Sequence, residues 1–162
     1  MAKKAKTAKK VVKKAAKKVA AKKQVKKSSG SKMSSVVHFE MPYTDAKRVA
    51  KFYSQAFGWN MNILGSEMGA YVLAGTSEAD KKGHPKEKGR INGGFFPKSP
   101  NAETPNLVLA TDNLKNAVRR LEKAGGKALG EPMNIPGYGT YISFTDTEGN
   151  RVALMQPSNE WM

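Results

Sequence analysis

Two side chains set the chemical question. His38 and Glu40 stand two residues apart in "VVHFEMPY", a run that reads as a β-strand, and residues i and i+2 of a strand share one face. An imidazole beside a carboxylate can act as a general acid/base pair, with the carboxylate orienting or charging the ring. The same pair can equally be a hydrogen-bonded couple that satisfies buried polarity. No nucleophile arrangement or oxyanion site accompanies them. The chain has no cysteine, which removes disulfides, thiol catalysis and thiolate metal sites. The second histidine, His84, lies in "KKGHPKEK", a charged loop where a solvated side chain is expected.

The elements that must position this pair repeat along the chain. A shift of 68 residues lays His38 over Asn106, Phe39 over Leu107, Asp45 over Asn113, Tyr53 over Leu121 and Gly58 over Gly126. Each copy reads as a strand, a polar turn and an amphipathic helix: a strand near 36–41 with a helix near 45–57, then a strand near 106–111 with a helix near 113–124. Apolar Val49, Ala50, Phe52, Tyr53, Ala56 and Phe57 recur at helical spacing in the first,. Three apolar stretches broken by turn signals follow each helix: "WNMNIL", "AYVLAG" and "INGGFF", then "KALGEPMNI", "GTYISFT" and "RVALMQ". An offset of 61 lays "GRINGGFFP" over "NRVALMQPS". The expectation is an α+β fold of two tandem β-α-β-β-β modules, near 36–97 and 105–158, whose curved mixed sheet surrounds one pocket. Residues 76–88 read as a charged loop, and 159–162 as a short C-terminal end.

The N-terminal 35 residues are of another kind. Residues 1–32 hold 14 lysines and no acid, so of the 29 basic residues in the whole chain 15 remain against 13 acidic ones. The net charge of +16 therefore belongs to the tail. Too little apolar surface is present there to offset ordering entropy, so a disordered tail is expected. Lys9, Lys10, Lys13, Lys14, Lys17, Lys18, Lys22, Lys23, Lys26 and Lys27 form pairs suited to phosphates of DNA or RNA, bound through counterion release. No arginine fork or aromatic platform accompanies them, which argues against sequence readout. A solubilising extension or an import signal is the plainer reading. "SSGSKMSS" is a linker, and a product starting at Met33 would keep the whole body,. With no apolar run of the length a membrane span needs and no secretory signal, an intracellular place in cytoplasm or nucleoid (the nucleus in a eukaryote) is expected.

"HFEMPYTDAKRVAKFYSQAFGW" and "YISFTDTEGNRVALMQP" resemble the opening and closing segments of the vicinal oxygen chelate superfamily, which includes glyoxalase I, bleomycin-resistance proteins and extradiol dioxygenases. The resemblance covers about residues 36–158; that of the tail, to lysine- and alanine-rich histone H1-like tails, is compositional. The superfamily resemblance implies paired modules with a pocket between them, and metal ligands at His38, Asn92, Asn106 and Ala153. Only His38 among these is a strong transition-metal ligand, so at most a weakly held divalent metal is expected and no cofactor is assigned. His38 and Glu40 would then face the pocket, joined by Asn92 and Asn106 and by Tyr71, Tyr138 and Tyr141 as aromatic, hydrogen-bonding walls for a small organic ligand. The tyrosines read equally well as core residues with hydroxyls at the rim. The resemblance further suggests a homodimer. Three functions stay open: a small-molecule binder, a lyase or isomerase using His38 and Glu40, and a nucleoid- or chromatin-associated adapter.

Overall fold

The computed structural model describes residues 33–158. The lysine pairs and residues 159–162 lie outside the described residues. Along the chain come β1 (Val36–Tyr43), α1 (Ala46–Phe57), β2 (Asn60–Ile63), a 3-10 turn (Ser66–Met68), β3 (Val72–Gly75), β4 (Gly93–Pro97), β5 (Asn106–Ala110), α2 (Leu114–Lys123), β6 (Lys127–Ile135), β7 (Gly139–Thr145) and β8 (Arg151–Pro157). The strand, helix and three further strands thus occur twice, as the spacing predicts. All eight strands join one sheet in the order β2-β3-β4-β1-β5-β8-β7-β6. β1 and β4 run parallel, as do β5 and β8, and the antiparallel pair β1/β5 joins the halves.

The helices begin where side chains satisfy their first free N–H groups. Asp45 accepts from the Arg48 amide at 2.9 Å, and Asn113 from the Asn116 amide at 2.9 Å, caps worth about 1 kcal/mol each. α1 ends at Gly58, whose φ of 69° is open to glycine without strain and whose N–H reaches the Ser54 carbonyl,.

Both helices cover the same face of the sheet. Under α1 lie buried Val72, Ala74 and Phe95, joined by Phe39, Met41, Val49, Tyr53 and Trp59. From α2, Leu114 and Ala117 pack onto Ile142, Phe144 and Leu154 of the sheet. Strand alternation then turns His38 and Glu40, Tyr141 and Ser143, and Ala153 to the other face. Val108 is 2 % exposed and Ala153 0 % on that face, where neither helix of the described residues lies and the curved sheet covers them. Phe95 enters the core while Phe96 is only half-buried, the split expected of neighbours on a strand.

The structure corrects two readings. β4 starts at Gly93, and its register differs from the 61-residue alignment. Glu40 pairs with Gly94, and Val108 pairs with Ala153. Since Glu40 and Val108 correspond under the shift of 68, the counterpart of Ala153 is Gly94, not Asn92. "INGG" carries too little side-chain pattern to set a register, and a slip of one or two residues goes unseen in sequence. His84 is also less solvated than expected, its side chain 30 % exposed in the charged loop. The Asp80 carboxylate accepts from the amides of Lys82 at 2.8 Å and His84 at 3.0 Å, as Asp146 does from Glu148 and Asn150. His84 consequently faces Asp80 across 3.9 Å.

Candidate functional site

The helix-free face gathers polar groups from both halves of the chain around the Glu40 carboxylate. Tyr71 donates to its Oε1 at 3.4 Å and Tyr141 to its Oε2 at 2.9 Å. Asn106, directly opposite Glu40 on β5, adds a side-chain hydrogen bond. The Tyr71 hydroxyl also lies 2.9 Å from His38 Nε2. Behind Tyr141, Ser143 donates to its hydroxyl at 3.3 Å, and Arg151 donates to Ser143 Oγ at 3.1 Å while a second arm holds the Asn101 carbonyl.

Register explains why the two tyrosines converge. Leu73 pairs with Gly94 and Ser143 with Ala153, so Tyr71 and Tyr141, each two residues earlier, hold matching places in the two halves. Local backbone aims the first of them. Ala70 has φ of 53°, a conformation that costs a residue with a Cβ about 1–2 kcal/mol, and the Tyr43 hydroxyl holds its carbonyl at 2.5 Å. The chain so turned lays the Tyr71 ring on Gly94, where a Cβ would come within 2.1 Å of the ring. Only glycine leaves room for that approach.

Five residues singled out from sequence therefore meet here: His38, Glu40, Tyr71, Asn106 and Tyr141. Asn92 does not join them; its amide binds the Thr76 N–H at 3.0 Å and the Gly83 carbonyl at 3.1 Å, pinning the charged loop. Tyr138 lies half-buried in the turn between β6 and β7, with its backbone tied to Ile135 and Ser158. Gly94, Ser143 and Arg151 were missed. Strand alternation from Tyr141 could have found Ser143, whereas Gly94 and Arg151 needed the register. A cavity of about 540 Å³ lies elsewhere, between α2 and β6, and none of the sequence candidates lines it.

Burial governs the charges. It lowers His38 from 6.5 to about 4, leaving the ring neutral at pH 7. Burial raises Glu40, opposed by the hydrogen bonds of Tyr141, Asn106 and Tyr71 and by the charge of Arg151. Burial and the Glu40 charge push Tyr141 up to about 12 and Tyr71 up further, so both phenols are firm donors. The unfolded chain binds a proton on His38 near pH 6.5 and the folded chain only near 4, so stability rises with pH across that window,. The effect amounts to about 3 kcal/mol at most. Glu40 acts oppositely: its raised pKa makes stability fall as pH climbs above about 4.5,. Urea unfolding at pH 7 and 4.5 should show wild type losing more stability on acidification than His38→Gln; equal losses would mean that His38 is not buried neutral.

The metal positions implied by the resemblance do not assemble into a strong donor set. Ala153 has no donor, nor does Gly94 at the matching place, and Asn92 is engaged in its loop. Among the described residues no group of three His, Cys, Asp or Glu could hold a metal ion. His38, already bonded to Tyr71, and one amide fit a transition metal poorly.

The sequence pattern of the Glyoxalase/Bleomycin resistance protein/Dioxygenase superfamily matches residues 35–154. The chain belongs to this superfamily. A glyoxylase-like domain-containing protein from Didymella fabae is 32 % identical over 122 residues, spanning 71 % of this chain and 88 % of that one. Among solved structures, methylmalonyl-CoA epimerase from Mycobacterium tuberculosis superposes with a TM-score of 0.55 at 15 % identity, over 77 % of this chain and 89 % of that one. A Streptomyces coelicolor methylmalonyl-CoA epimerase in complex with 2-nitronate-propionyl-CoA gives 0.58 at 12 %, over 79 % and 97 %. At such identities this chain's likeness to the epimerases is one of fold. Among the described residues no helix is long and apolar enough to cross a membrane.

Proposed function

We propose that the folded body binds a small organic ligand on the helix-free face, at the Glu40 cluster, with the superfamily's metal site largely lost. One observation carries this reading: a half-buried carboxylate from β1 is held by tyrosines of both halves. Burying a carboxylate costs several kcal/mol, and a fold needing only closure would put an apolar residue there. Val108, at the matching place in the second half, is such a residue. Asn106 is 5 % exposed and its Oδ1 has no partner among the described residues, which leaves an acceptor for a ligand's donor. An NMR screen of small polar organics against the full chain should give hits that shift β1, β5 and β7 and that are weakened at least tenfold by Glu40→Gln. Hits that map to other surfaces, or that ignore Glu40→Gln, would sink it.

A second reading is favoured by the raised Glu40 and the neutral His38, which together leave a proton acceptor beside a hydrogen-bonding ring. The body would then be a lyase or isomerase moving a proton on the bound ligand, a chemistry in keeping with epimerases of this fold. Solvent deuterium entering a bound ligand's acidic C–H in wild type and not in Glu40→Gln supports it; exchange surviving that substitution removes Glu40 as the base.

The lysine tail in this reading contacts DNA or RNA without sequence preference. Engaging about 6–10 phosphates should weaken binding roughly 10³-fold or more between 50 and 200 mM salt. Fluorescence anisotropy with a labelled duplex should show that loss, and no binding by the chain starting at Met33. Equal affinity without the tail would overturn the assignment.

A further inference from the structure

We infer that Tyr71, seated on Gly94, stands where a cation would otherwise join His38 to Glu40, so that the site recognises its ligand by phenol hydrogen bonds instead of coordination. The inference rests on the ligand-binding reading above and names the residue that sets the ligand class. Three observations carry it. The Tyr71 hydroxyl bonds both His38 Nε2, at 2.9 Å, and Glu40 Oε1, at 3.4 Å, the two strongest metal donors on this face. A transition-metal ion held by the same two atoms would sit about 2.0–2.2 Å from each, so ion and phenol oxygen contend for one space. Next, the ring fills the side-chain volume that Gly94 leaves free, and a donor-bearing residue at that position would collide with it. Last, among the described residues the Oδ1 of Asn106, at the strand position opposite Glu40, is unpaired, which leaves a third donor beside the pair on the neighbouring strand.

The phenols supply in its place what an ion would. Tyr71 and Tyr141 cap the two oxygens of one carboxylate, and hydrogen bonds to an ionised group are about twice as strong as neutral ones. Ala70 is held left-handed to aim the first of them, so the arrangement is set before a ligand arrives. A coordinated ion favours ligands offering two adjacent oxygens that can chelate it. A phenol with a nearby amide oxygen favours a molecule presenting a single hydrogen-bonding head. Tyr71 is thus a specificity-determining residue.

Isothermal titration of the full chain with Ni²⁺ tests this. Wild type should show no saturable binding that depends on His38, while Tyr71→Ala should bind one Ni²⁺ at least tenfold more tightly than wild type and lose it in Tyr71→Ala/His38→Ala. Tyr71→Phe keeps the ring and frees His38 Nε2, and should gain part of that affinity even if the alanine variant does not fold. Wild type binding Ni²⁺ through His38 as tightly as the variants overturns the inference, and so does no gain in either. An organic ligand that binds wild type only with Ni²⁺ present would also overturn it while sparing the ligand-binding reading. Gained Ni²⁺ affinity with no organic hit on this face would sink that reading alone.

Discussion

Phe95→Ala should destabilise the protein by about 3–5 kcal/mol, a large share of the roughly 5–15 kcal/mol that holds a typical domain together. Phe95 is 1 % exposed and among the largest fully buried side chains. It pairs with Met41 on β1 and Val72 on β3, and its ring centroid lies 4.9 Å from that of Tyr53 on α1. Truncation would leave a void at the junction of three strands and a helix, and the sheet around it cannot collapse without moving β1. His38 and Glu40 ride on that strand, so ligand binding should weaken along with stability. Urea denaturation measures the loss; a change under about 1 kcal/mol would mean that the α1 core is not packed around this ring.

Gly94→Val should do more local damage, at a cost to the fold at least comparable with that of Phe95→Ala. The new Cβ would meet the Tyr71 ring at 2.1 Å, and moving the ring strips a partner from both His38 Nε2 and Glu40 Oε1. Overpacking costs about 1–3 kcal/mol, and each buried polar group left unpaired about 1–3 kcal/mol more. The expected result is a large loss of stability together with loss of ligand binding on the helix-free face. Ala153 offers the control: it holds the matching place in the second half, so Ala153→Gly introduces no clash and should leave the Tyr71–His38 contact unchanged. If Gly94→Val kept both wild-type stability and the Tyr71 side-chain NMR signals, the ring would not lie on Gly94.

Periodicity made the fold legible. The helices came out within a residue or so of their capped ends because Asp45 and Asn113 announce the start and the apolar spacing the buried face. Alternation put His38 with Glu40, whereas Tyr141 was named only as one of the tyrosines around "PGYGTY". What sequence could not supply was register. Two glycines before Phe95 offer no pattern to align, so Asn92 took the place that belongs to Gly94. The role of Arg151 stayed hidden for a related reason: its contact with Ser143 joins two strands, and neither strand alone implies it. The lesson of the site is similar. A glycine among apolar residues reads as a weakness in a strand, and here its missing side chain is what admits the tyrosine.

The matching tyrosines have a stereochemical consequence. Tyr71 and Tyr141 occupy like positions in two halves of one sheet, but the group between them breaks the likeness, since Glu40 answers to Val108 and His38 to Asn106. A ligand lying across the face meets a carboxylate and an imidazole on one flank and an isopropyl group and an amide on the other. Turning it over does not restore the same contacts. A ligand with two unlike ends should therefore bind in one end-for-end orientation, and intermolecular NOEs from any hit of the screen to Tyr71 and to Tyr141 would show which end the glutamate selects.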